Sequence, residues 1–199
     1  HKDIYKDSAP TRSLFGRRQG RALRGERLRV MNEVLPQIQI TETFLTEQHQ
    51  TKPSDLFDKT FDKHWFEIGF GHGEHVATLM RQNPDTGYIA AEPFMNGMSA
   101  FLKDVENDDL NNVRVLMDDA MMLAKSIAAE SLDGIYILNP DPCHKKRHHK
   151  RRIVNQDNLD IFAKILKPDG TLVMTSDVID CAEWMCMHAN HHPAFTWTA

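Results

Sequence analysis

The sequence predicts an α/β protein, doubly wound, with a mostly parallel sheet. From Lys63 onward, short apolar runs alternate with segments of helical period. Strands separated by helices in this way pair in parallel and carry helices on both faces. A glycine-rich turn, Gly69-Phe-Gly71-His-Gly73, joins the first apolar run to the first helical segment, the position at which such sheets receive ligands.

Five segments read as strands: HWFEIG (64–69), YIAAE (88–92), VRVLM (113–117), GIYILN (134–139) and TLVMTSD (171–177). Between them GEHVATLMRQNP, FMNGMSAFLKDVEN, DAMMLAKSIAAE and QDNLDIFAKILKPDG read as helices. In the first, Val76, Leu79 and Met80 fall at the i, i+3, i+4 spacing of a buried stripe. KPDG at 167–170 predicts a turn that stops the fourth helix and launches the fifth strand. AEWMCMHA, further on, has helical character.

Ahead of this core, residues 1–30 hold nine Lys/Arg against three Asp/Glu and read as a flexible basic arm. Residues 31–60, with Pro36 and Pro53, read as an irregular lead-in. The division expected is an arm and lead-in over 1–50 and a catalytic domain over 51–199. The chain begins without Met and is expected to be a piece of a longer polypeptide.

The net charge of −4 conceals strong polarisation. The arm carries +6, residues 145–152 carry another +6, and the remaining 161 residues carry −16. Local basic surfaces of this kind attract a phosphate backbone. No apolar run reaches the ~18 residues a membrane-crossing helix needs, and the first residues have no secretory character. Three cysteines, Cys143, Cys181 and Cys186, make no disulfide framework, which favours a cytoplasmic setting. The Cys181, Cys186, His188 spacing matches no usual zinc pattern, and no metal is expected. His72 and His75 read as local hydrogen-bonding groups, and the ten Met residues as core filler. A monomer and a homodimer are equally compatible with the sequence.

Glu67-Ile-Gly69-Phe-Gly71-His-Gly73 lacks the last glycine of the dinucleotide pattern, since position 74 is Glu. Glycines there let the backbone turn sharply and approach a ligand. Glu92 closes the second strand 19 residues beyond Gly73 and is placed to accept both ribose hydroxyls of a nucleoside. Glu67 is placed to hold an ammonium group, and Asp119, after the third strand, to meet an adenine amino group. Three acids around one ligand suit the cationic, amine-bearing S-adenosylmethionine and would repel a pyrophosphate. Taken singly, each acid reads equally as a helix cap or a surface charge.

The fourth strand ends in Asn139-Pro140-Asp141-Pro142-Cys143, followed by His144-Lys-Lys-Arg-His-His-Lys-Arg-Arg152. Prolines on both sides of Asp141 stiffen the backbone and remove two competing donors. EIGFGHGE, PDPCHKKRHHKRRIV, LKPDGTL and RSLFGRRQGR together resemble the bacterial tRNA (guanine-N7-)-methyltransferases, from about residue 12 to the end. The resemblance implies a Rossmann-like class I methyltransferase fold, S-adenosylmethionine as cofactor and tRNA as partner. By motif position it implies cofactor and active-site roles for Glu67, Glu92, Asp119 and Asp141. It implies substrate contacts for Lys145 and Asp177, and RNA contacts for Arg147, His148, His149, Lys150, Arg151 and Arg152. Two positions depart from the family pattern: Cys143 stands where Trp is usual, and Asn139 where Phe is usual. The family also continues past Ala199 into a Thr-x-x-Glu segment and two more strands.

Guanine N7 is an in-plane lone pair without a proton, so methylating it requires no general base, and positioning supplies the catalysis. Asp141 is expected to orient the base through its N1–H and N2–H2 edge. Two rivals follow from the same residues: methylation of an exocyclic amine or another RNA base, suggested by Asn139-Pro140, and an RNA-binding module without activity. A nicotinamide dehydrogenase is disfavoured by the glycine spacing.

Overall fold

The structure is a computed structural model and describes residues 18, 20–45 and 50–198. Most of the RSLFGRRQGR segment therefore lies outside the described residues. Five strands, β1 (Lys63–Ile68), β2 (Thr86–Ala91), β3 (Val113–Leu116), β4 (Leu132–Leu138) and β5 (Leu166–Thr175), form one sheet in the order β3-β2-β1-β4-β5. Every pairing is parallel.

Period-two alternation sends side chains to two separate cores. Phe66, Ile68, Ile89, Ala91, Leu116, Ile135 and Ile137 face one side. They meet α5 (Ala120–Ser126), α6 (Gln156–Ile165) and α7 (Ile179–His191) through Leu123, Phe162 and Met185. Tyr88, Ala90, Val113 and Val115 face the other. They are covered by α1 (Glu26–Glu33), α2 (Leu35–Ile38), α3 (Glu74–Gln82) and α4 (Met95–Val105) through Met31, Ile38, Val76 and Phe101. Helices on both faces of a parallel sheet are the doubly wound architecture. Of the α3 stripe, Val76 and Met80 are buried and Leu79 is partly so.

Local chemistry sets the helix starts. Asp119 caps α5, its Oδ1 accepting from the Met121 N–H at 2.9 Å, and Asn155 caps α6 by accepting from the Asn158 N–H at 2.9 Å.

Two expectations are corrected. KPDG does not precede the fifth strand. Leu166 already pairs with Leu132 and pairing resumes at Thr171 opposite Gly134, so the turn bulges out within β5, with Asp169 at φ 64°. The described part of the basic arm is docked rather than loose. Asn96 accepts from the Gly20 N–H at 2.7 Å and donates to the Arg21 carbonyl at 3.0 Å, Met95 N–H donates to the Arg18 carbonyl, and α1 begins at Glu26. The lead-in likewise joins the core, with Met31, Leu35 and Ile38 buried to 1% exposure or less.

Candidate active site

Parallel register brings the strand ends to one rim. Ile68 pairs with Ala91 and with Ile137, Ala91 with Leu116, and Leu138 with Thr175. The segments beginning at Gly69, Glu92, Met117, Asn139 and Ser176 therefore leave the sheet side by side, about 5 Å apart from strand to strand. β1 and β4 are neighbours, so the glycine turn and the Asp141 segment emerge next to each other.

The glycine turn requires its glycines. Gly69, Gly71 and Gly73 all have positive φ, 70°, 60° and 83°, where a side chain is strained. A Cβ at Gly69 or Gly71 would meet open space, whereas at Gly73 it would run into Phe101. A fourth glycine, not singled out by the sequence analysis, completes the turn: a Cβ at Gly97 would collide with the Gly71 carbonyl. Its signal was available as an isolated glycine inside a helical pattern.

Two acids lie buried against this turn. Glu92 is 8% exposed and accepts from the Gly71 N–H at 2.7 Å and the Phe94 N–H at 2.8 Å, one through each carboxylate oxygen. Glu67 is 4% exposed, and its Oε2 lies 2.8 Å from His75 Nδ1. Burial pushes both carboxyls above the usual range; the backbone N–H groups on Glu92 and His75 on Glu67 pull back. Among the described residues, no Lys or Arg pairs with either acid. Buried carboxyls short of a cation favour a cationic ligand, which would stabilise the charged form of both. The open face of the turn and this donor set fit a nucleoside carrying an ammonium group. His75, read from sequence as a local hydrogen-bonding group, lies edge-on to Tyr136, which stacks on Trp65.

Asp119 stands at the same rim, half-buried, with Oδ1 engaged in the α5 cap. Its neighbour Asp118 pairs with Arg18 at 3.0 Å, tying the arm across the ends of β2 and β3.

Asp141 is exposed and accepts from the Cys143 N–H at 2.9 Å. The residues on either side, Asn139 and Cys143, both sit at φ 47°. Asn tolerates that region, but a strained pair of this kind is kept only where the surroundings hold it. Asn139 Oδ1 accepts from the Asp177 N–H at 3.1 Å, so this side chain clasps the segment after β5. Burial, then Asp141, pushes the Cys143 thiol upward.

The basic run forms a 3-10 turn, Lys146–Arg151, with Lys145 accepting from the His148 N–H at its start. Lys145, Arg147, Lys150 and Arg151 are exposed, and His148 and His149 are half-buried. Burial, then the cations of Arg151, Arg147 and Lys145, lowers the proton affinity of His148, and Asp141 opposes them. Arg152 departs from the run. It is 3% exposed and points inward.

A doubly wound parallel sheet whose strand ends carry a glycine turn with two buried acids against it defines an α/β protein with a site for a nucleoside cofactor. A family model described as "Putative methyltransferase" matches residues 62–199. The tRNA (guanine-N(7)-)-methyltransferase of Rhizobium meliloti is 39% identical over 189 residues, covering 95% of this chain and 80% of that one. Those of Brucella anthropi and Agrobacterium fabrum are 37% and 38% identical, each with more than four-fifths of its length covered. Among solved structures, the aminoglycoside resistance methyltransferase NpmB1 aligns at TM-score 0.48 and 17% identity over 60% of this chain and 58% of its own. The chain belongs to the tRNA (guanine-N(7)-)-methyltransferase family.

Proposed function

We propose that this protein transfers a methyl group from S-adenosylmethionine to N7 of a guanine in tRNA, in the variable loop, and that it works in the cytoplasm. The observation that supports this reading best is the shared rim. The glycine turn, with Glu67 and Glu92 buried against it, and the segment bearing Asp141 leave adjacent strands, and the basic turn is tied to that same segment through Arg152 and the Pro142 carbonyl.

The cofactor supplies an electrophilic methyl group on a sulfonium. Glu67 would hold its ammonium end and Glu92 its ribose hydroxyls, since each carboxylate oxygen keeps a second lone pair beyond its present bond. Gly69, Gly71 and Gly73 let the backbone approach it closely, and Asp119 borders the adenine side. Asp141 orients guanine by accepting from its Watson–Crick edge, leaving N7 aimed at the methyl group. No proton has to leave N7, so no residue is assigned as a base. Positive charge passes to the base during transfer, and an exposed carboxylate beside it stabilises that charge. Lys145, Arg147, His148, His149, Lys150 and Arg151 line the margin that meets RNA phosphates, with Asp177 held nearby by Asn139.

Radiolabelled methyl transfer to bulk tRNA, followed by nucleoside analysis, tests the reading. 7-Methylguanosine is the expected product. A methyl group on an exocyclic nitrogen would overturn the N7 assignment, and absence of S-adenosylmethionine binding by calorimetry would point to an RNA-binding module.

A further inference from the structure

Arg152 ends a run of basic residues, yet its guanidinium is spent inside the protein. Nε donates to the Pro142 carbonyl at 2.8 Å. Nη2 donates to Asp180 Oδ2 and lies 3.2 Å from His149 Nε2, and Nη1 reaches the Asp180 carbonyl at 3.5 Å. The plane lies 5.0 Å over the Trp184 ring, itself fixed by its indole N–H donating to the Val154 carbonyl at 2.7 Å. One fork thus joins the Asp141 segment, the basic turn and α7.

We infer that Arg152 is a positioning residue for the Asp141 segment and not a phosphate contact, an inference that rests on the proposed function for its catalytic consequence. The segment needs an external hold. Asn139 and Cys143 are both at positive φ, a conformation kept only where the surroundings hold it, and Pro140 and Pro142 have no N–H with which to anchor themselves. The bond at Pro142 lies one residue from Asp141, where a shift of about 1 Å can cost a hundredfold in rate. The arrangement demands arginine: a planar fork serves a carbonyl, a carboxylate and an aromatic face at once, and an ammonium does not.

R152K and D180A in the full chain separate this role from RNA binding. R152K keeps the charge a phosphate would need and loses the fork. Its kcat should fall at least about tenfold, while its KM for tRNA and the salt dependence of tRNA binding stay near wild type. D180A should follow R152K, and D180N, which keeps an acceptor oxygen, should recover part of the loss. K150A should do the reverse to binding, raising KM and flattening the salt slope by about 0.7–0.9. A readout independent of methylation is alkylation of Cys143, half-buried in the segment, referenced to exposed Cys186. R152K and D180A should speed Cys143 labelling several-fold. Should the wild type fail to make 7-methylguanosine while both variants speed Cys143 labelling, the functional reading fails and the anchoring stands. Wild-type kcat and unchanged Cys143 labelling in both variants, or a flattened salt slope in R152K, would overturn the inference. Asp180 is two-thirds exposed, so D180A keeps the test available if Arg152 variants fold poorly.

Discussion

Glu67 and His75 are joined at 2.8 Å, a buried carboxyl on β1 held by an imidazole in the first turn of α3. Burial raises the Glu67 carboxyl and His75 lowers it, so the histidine keeps the acid available as an anion. S-adenosylmethionine affinity should therefore weaken as pH falls through the raised Glu67 value and the carboxyl takes up a proton. In H75L that fall should begin at higher pH, with binding at neutral pH at least about fivefold weaker. Calorimetric titrations between about pH 5 and 8 check this. Identical pH profiles for H75L and wild type would remove His75 from the account.

Gly97 touches no ligand, yet it controls the cofactor turn. G97A places a methyl against the Gly71 carbonyl, and the cheapest relief displaces the turn. Overpacking of this kind costs about 1–3 kcal/mol, and S-adenosylmethionine affinity should drop about tenfold or more. Thermal unfolding with and without cofactor reads both effects. A G97A protein with normal affinity would show that the turn accommodates the methyl without moving.

Asn139 serves two purposes at once, tolerating φ 47° and clasping the Asp177 N–H. N139L should lose about 1–3 kcal/mol of stability and release the segment after β5, lowering kcat. N139D keeps both features, since Asp tolerates that conformation and offers an oxygen, and should retain most activity. Equal behaviour of the two variants in methyl-transfer assays would refute the clasp.

Asp141 and the basic turn should separate cleanly by kinetics. D141A should abolish turnover and spare tRNA affinity. K150A should weaken tRNA binding in a salt-dependent way, each lost phosphate contact changing the logarithmic slope by about 0.7–0.9. Filter binding across a salt series, paired with single-turnover methylation, measures both. Normal methylation by D141A would eliminate the assigned role.

His64 predicts an acid-sensitive fold. Its Nε2 is buried with no hydrogen-bond partner among the described residues, beside Phe57 and Phe61, and burial lowers its proton affinity. The unfolded chain takes up a proton below about pH 6.5 that the folded protein resists. Stability is therefore full above that pH and is lost as pH falls toward the depressed folded value. Denaturant midpoints should drop between about pH 7.5 and 5.5, and H64L should flatten that drop. An unchanged slope in H64L would assign the acid sensitivity elsewhere.

Much of this molecule is local enough to read from its residues. Alternating apolar runs placed all five strands, because side chains on successive strand residues must face opposite cores. The glycine turn, Glu92 and Asp141 were legible because each follows a strand, and Glu67 because it lies one residue before the end of β1, and parallel strands carry their ends to one rim. Asp119 was read both as a ligand group and as a cap, and the capping bond is present. What only tertiary structure decided was which polar groups spend their bonds inward. Arg152 sits in a sequence of exposed cations, and nothing local separates it from Arg151; its burial follows from Asp180, Trp184 and the Pro142 carbonyl meeting at one point. Gly97 and His75 matter for the same reason, through contacts with residues 26 and 8 positions away. Charge and period are properties of the chain, whereas the partner of a guanidinium or the space beside a glycine exists only once separate segments are packed together.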